Sequence, residues 1–152
     1  MTRAFLINFM QAAKSVSSAE RCLVVDRELE VIDYDNIDED TLYSKDFQNV
    51  VVASIQEALK NDDVVLTNNR ITDPAQAPTT NTNYTDLRVV VALPIGKIGA
   101  LYMDQHIRVG IMPKPMIDRL ANLANHLIDN NLLDSSVDQI KTLYKEQGET
   151  TE

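Results

Sequence analysis

The chain has 152 residues, 44% of them hydrophobic and 24% charged, a size and apolar content that suit one globular domain with a substantial core. Its net charge of −9 excludes nucleic-acid binding through phosphates, because no basic cluster is there to release counterions, and argues equally against an anionic membrane surface. The single cysteine, Cys22, excludes an intramolecular disulfide and a four-cysteine zinc site and points to a reducing, cytoplasmic setting.

The opening "MTRAFLINFMQAAKS" is too short in its apolar run, and too interrupted by Asn8 and Gln11, to read as a signal peptide. It reads instead as a helix capped by Thr2, with Leu6, Phe9, Met10, Ala13 and Val16 on one stripe. Phe5 and Ile7 fall off that stripe and are expected to invite a partner helix. "ERCLVVDRELEVIDYD" predicts two short strands, Arg21 to Asp26 and Glu30 to Asp33, turning near Arg27-Glu28. From Asp33 to Asp40 the chain reads as an acidic loop, which lacks the glycine of a calcium loop and carries Ile37 at a ligand position. A helix is predicted from about Ser44 to Lys60, with Phe47, Val51, Ile55, Ala58 and Leu59 facing inward, followed by a strand over Asp63 to Asn69. Arg70 to Asp86 then has no helical or strand period, and loops of such length in a compact domain usually carry function or move.

"LRVVVALPIGKIGALYMDQ", Leu87 to Gln105, is apolar but broken by Arg88, Pro94, Gly96, Lys97 and Gly99, so it is not a membrane span. It predicts a hairpin with a two-residue type II′ turn at Gly96-Lys97. That turn pairs Ile95 with Ile98, Leu93 with Ala100, Val91 with Tyr102 and Val89 with Asp104. Both faces are apolar, which places the hairpin centrally in a sheet covered on both sides, and Pro94 is expected to force a bulge or an unpaired position. An amphipathic helix from Pro115 to about Asn131 follows, with one stripe through Met116, Leu120, Leu123 and Leu127 and another through Ile117, Ala121, Ala124 and Ile128. Ser136 and Gln139 form a candidate capping box for a last helix carrying Val137, Ile140 and Tyr144. Antiparallel strands with helices on the faces give an α+β domain.

Four pieces, Val64 to Thr67, Leu87-Arg88 to Pro94, Ile98 to Asp104 and Leu120 to Leu127, resemble in order and spacing the GAF domain family of small-molecule sensors. The resemblance covers roughly Ala4 to Asn131. It implies a profilin-like fold with a central antiparallel sheet of about six strands, a helical layer on one face and a loop-covered ligand pocket on the other. On this reading residues 1–133 form a single GAF-like domain, and residues 134–152 a C-terminal helix and acidic tail. The Arg70 to Asp86 stretch stands where the lid would be. The resemblance further implies a homodimer through the terminal helices, for which Phe5, Ile7, Ile117, Ala121 and Ile128 are the candidate interface residues.

The Asn-Lys-Phe-Asp-Glu set of cyclic-nucleotide GAF domains has no equivalent here, and Cys22 is misplaced for a covalent bilin. One thiol also does not serve a methionine sulfoxide reductase that works with more than one. The candidate ligand-binding residues are Thr67, Asn69, Tyr84, Arg88 and Tyr102. Arg88 would hold a carboxylate or phosphate of a ligand or, alternatively, pair with Asp86 or Asp73. Asp104 and His106 are two metal-capable groups, too few for a site. No paired nucleophile and base and no phosphate-cradling glycine loop is apparent. The expectation is therefore a non-catalytic, cytoplasmic regulatory domain that binds an unknown small molecule, with no identified cofactor. It would signal through its terminal helices to an output domain or partner protein. The alternative is a degenerate GAF-like dimerisation or protein-interaction scaffold without a ligand.

Overall fold

The computed structural model describes residues 2–71 and 87–150. Helix α1 (Thr2–Val16) leads into the hairpin of β1 (Arg21–Asp26) and β2 (Val31–Asp35). The hairpin turn is held by the Asp26 carboxylate, which accepts from the backbone N–H groups of Glu28 and Glu30 at 2.9 and 3.0 Å. The acidic stretch read as loop ends in one helical turn, α2 (Glu39–Leu42), because Asp38 caps it by accepting from the Thr41 N–H at 2.8 Å. Ser44 repeats the device at the start of α3 (Lys45–Asn61), accepting from the Phe47 N–H. The edge strand β3 (Val65–Arg70) follows, then β4 (Leu87–Ile95), β5 (Gly99–His106), α4 (Lys114–Asp129) and α5 (Val137–Thr150). The capping box before α5 is reciprocal: the Gln139 N–H donates to Ser136 Oγ at 3.2 Å, and the Ser136 N–H donates to Gln139 Oε1 at 2.7 Å.

The strands form one antiparallel sheet in the order β2-β1-β5-β4-β3. This is an α+β architecture with five strands among the described residues, against about six expected. One face carries α1, α4 and α5 over a cluster that includes Phe9, Val91, Leu101 and Leu123. The other face carries helices where loops were expected: α3 buries Phe47, Val51 and Ile55 against Leu23, Val90 and Tyr102. The stretch expected to form a lid lies, beyond Ile71, outside the described residues.

The central hairpin is one residue out from the expected register. Ile95 pairs with Gly99, Leu93 with Leu101, Ala92 with Tyr102 and Val90 with Asp104. The turn is three residues long, Gly96 to Ile98, closed by the Ile98 N–H donating to the Ile95 carbonyl at 3.1 Å, with Gly96 at φ +53°. A one-residue slip exchanges the faces of a strand, so Tyr102 and Asp104 share a face with Arg88, Val90 and Ala92 rather than with Val89 and Val91. Gly99, the first residue of β5, lies hard against β1. A Cβ there would lie 2.3 Å from the Val25 carbonyl oxygen, so β1 approaches β5 more closely than any side chain allows. Pro94 forces no bulge: it pairs with Ala100, and β3 begins only opposite Ala92, so no β3 residue is denied an N–H.

Phe5, expected off the buried stripe, is wholly buried with Phe9, their rings 6.1 Å apart, because α1 is covered on a wide arc by the sheet and by α5. Ile117 is likewise completely buried, whereas Ile7, Ala121 and Ile128 are half-buried. Helix α5 belongs to the same layer. Ile140 and Tyr144 join the α1 cluster, and the Arg119 guanidinium lies 4.0 Å over the Tyr144 ring while donating to the Tyr144 carbonyl.

Cys22 is buried beneath α1, and burial, helped by the nearby Asp35 charge, pushes its thiol up to about 12. The native protein should therefore not react with a disulfide reagent at pH 8, and labelling should appear only on unfolding in urea; prompt stoichiometric labelling of the native protein would contradict this packing. The sign of the linkage follows. An unfolded thiol ionises near its ordinary value of 9.0 and a folded one only near 12, so the unfolded state loses its proton first and stability falls as pH rises between the two.

Candidate functional site

Two features occupy the α3 side of the sheet. The first is a knot of charge at the end where β1 and β4 begin and β5 ends. Cross-strand pairing sets Arg21 opposite Asp104, and Arg21 Nε and its terminal nitrogen donate to the two Asp104 oxygens at 2.8 Å each. Arg88 donates to the same carboxylate at 3.1 Å and to Glu20 at 3.2 Å, and the Tyr102 hydroxyl donates to Asp104 Oδ2 at 2.6 Å. Glu20 also accepts from the His106 backbone N–H. The Arg21 guanidinium lies 5.0 Å from the Phe47 ring, which meets Tyr102 edge-on at 5.6 Å. Burial, reinforced by the Asp104 charge, holds the Tyr102 hydroxyl well above the usual tyrosine range. Asp104 is wholly buried and Arg21 nearly so. A buried carboxylate so placed must be paired, and here both of its oxygens are engaged.

Of the residues expected to bind a ligand, Arg88 and Tyr102 meet on Asp104. Thr67 and Asn69 stand opposite Val90 and Arg88 on the same side of the sheet, where Asn69 Nδ2 donates to Thr67 Oγ1 at 2.7 Å. Tyr84 lies outside the described residues. Arg88 pairs with Asp104 and Glu20, neither of which was among the partners considered from sequence. The His106 ring accepts from the Arg108 N–H through Nδ1. Among the described residues there is no cluster of three or more metal-capable side chains.

The second feature is an apolar groove of about 410 Å³. Helix α3 lies over β3, β4 and β5, which leaves the β1-β2 end of the sheet open on this side. Leu23, Val25 and Phe47 line the bottom of the groove, with Val31 and Tyr34 of β2 on one wall and Val52 of α3 on the other. Tyr43, just after α2, stands at the mouth. Val31, Tyr34, Tyr43 and Val52 are 48, 38, 72 and 43% exposed, an unusual concentration of large apolar surface at one rim. The β2 edge beside it is partly occupied by its own chain, since the Tyr34 N–H donates to the Asp33 carboxylate at 2.9 Å. Sequence reading did not find the groove, because its residues come from four separate elements and one of these, α2, reads as loop.

No family model and no curated protein matches the chain. A solved structure similar to it is Myxococcus xanthus MglB, 12% identical, with 96% of this chain and 91% of that one covered and a TM-score of 0.42.

The GAF assignment is corrected: the sheet face expected to lie under a loop-covered pocket carries α3. The similar structure is MglB, of roadblock/LC7-like fold, and not a GAF domain. The physical source of the error is visible. The four stretches that resembled GAF motifs are the start of β3, most of β4 and of β5, and the middle of α4, and any central hairpin covered by helices on both faces requires apolar runs of that kind. The readings built on that assignment, a ligand-binding sensor with a loop-covered pocket, fall with it. Among the described residues no helix is long and apolar enough to cross a membrane.

Proposed function

We propose that the chain is a non-catalytic protein-interaction module of the cytoplasm, whose docking site is the groove between β2 and the α2–α3 unit. The observation that carries this reading is the apolar groove rimmed by exposed Val31, Tyr34, Tyr43 and Val52. Exposed aromatic and branched side chains around an apolar concavity are what a partner's anchor residues desolvate on binding. The engagement of both Asp104 oxygens by Arg21, Arg88 and Tyr102 supports a structural role for the one buried charge cluster near it.

The test is site-specific photo-crosslinking in cells that make the protein, with a benzophenone amino acid at position 52 or, as a control away from the groove, at exposed position 125. A discrete heavier adduct from position 52 and none from position 125 is the expected result. Equal adducts from both positions, or none from either, would remove the groove as the docking site.

A further inference from the structure

Resting on that reading, we infer that the groove takes a segment of another protein whose apolar anchors are flanked by arginine or lysine. Residues 26–40, which border the groove, hold eight carboxylates and a single cation, Arg27. Their distribution is what decides the partner's chemistry. Asp26, Asp33 and Asp38 are used by the fold, accepting from backbone N–H groups of the hairpin turn, of Tyr34 and of Thr41, and Asp35 pairs with Lys14 at 3.1 Å. The remaining four are exposed and adjoin groove residues along the chain. Glu28 and Glu30 flank the groove residue Leu29, and Glu39 and Asp40 lie in the first turn of α2, just ahead of the groove residues Leu42 and Tyr43. Among the described residues, Glu28 alone of the four has an ion-pair partner, Arg27 at 3.4 Å, with both side chains largely exposed.

An apolar trough whose neighbouring turn and helix start carry four exposed carboxylates favours a segment with cations beside its apolar anchors. A second copy of this chain is disfavoured as occupant, because it brings a net charge of −9 to the same acidic rim. At the β2 edge Asp33 already holds the Tyr34 N–H, which favours side chains entering the groove over a strand added to the sheet.

The experiment uses the full chain and two fluorescein-labelled, end-capped peptides, each with a Leu-Val-Phe core, one flanked by three arginines on each side and the other by three glutamates. Fluorescence anisotropy at low salt should show the arginine peptide binding at least about tenfold more tightly, and the difference should shrink severalfold at 0.5 M NaCl as exposed charges are screened. Val52→Asp should abolish binding of the arginine peptide, and the combined Glu28→Lys, Glu30→Lys, Glu39→Lys and Asp40→Lys variant should reverse the preference. If both peptides bind alike, with Val52→Asp still abolishing binding, the basic-partner inference is overturned and the groove stands. Arginine-peptide binding that survives Val52→Asp would mark mere charge attraction and overturn the inference. Binding of neither peptide, or self-association in sedimentation that Val52→Asp disrupts, would overturn it as well, the former together with the groove reading.

Discussion

Asp104→Ala should lower the unfolding free energy by about 3–5 kcal/mol, the usual cost of stripping one partner from a buried ion pair. The change removes the acceptor for Arg21, Arg88 and Tyr102 together, and it takes two hydrogen bonds from the Arg21 guanidinium, which is almost without access to water. A domain of this size has only about 5–15 kcal/mol in total, so the variant should sit near the edge of folding, with a melting temperature lower by roughly 10–20 °C. Asp104→Asn, which keeps an acceptor and the shape, should lose less. Urea unfolding of both variants is the measurement, and a loss below about 1 kcal/mol for the alanine variant would mean that the knot contributes little. Thr67→Ala, which removes an exposed hydroxyl held only by Asn69, should change stability by less than about 0.5 kcal/mol.

Gly99→Ala should cost about 3 kcal/mol, at the upper end for overpacking. The new methyl would meet a backbone oxygen, that of Val25, at 2.3 Å, and Leu6 at 3.0 Å. Relief requires β1 to move off β5, which loosens the pairing of Val25 with Ala100 and of Asp26 with Gly99. Gly96→Ala is the informative comparison. Gly96 has positive φ and its Cβ would lie 2.6 Å from Ile128 Cδ1, the far end of a flexible side chain, so its penalty should stay near the 1–2 kcal/mol of a left-handed residue, about. Thermal unfolding of the two variants side by side tests the ranking, and a Gly99→Ala protein as stable as the parent would show that β1 and β5 can separate without loss.

Much of the fold was legible because it rests on local signals. The stripe of α3, the caps at Ser44 and at Ser136 with Gln139, and the apolar runs of β1, β4 and β5 are all written in short windows of sequence. The register of the central hairpin was not legible. Gly96-Lys97 is a good two-residue turn on its own terms, yet the three-residue turn is the one formed, and in it Gly99 lies against Val25, about seventy residues away in sequence. The burial of Phe5 escaped for a similar reason: a single stripe describes a helix on one surface, whereas α1 is packed by both the sheet and α5. At the candidate site, Arg21 read only as the start of a strand and Asp104 as a strand end and a metal-capable group, and only the pairing of β1 with β5 brings them together. The groove was least legible of all. It is a gap left by where α3 lies, and a gap has no residue signature of its own.

Helices α1 and α5 lie in one layer, and the groove opens on the opposite side of the sheet. The packed faces of α1 and α5 therefore lie behind the sheet, which stands as a single layer between them and the docking face. What the sheet recognises on its front and what holds it up on its back are thus built from different residues, so the helical layer can vary without redrawing the docking face.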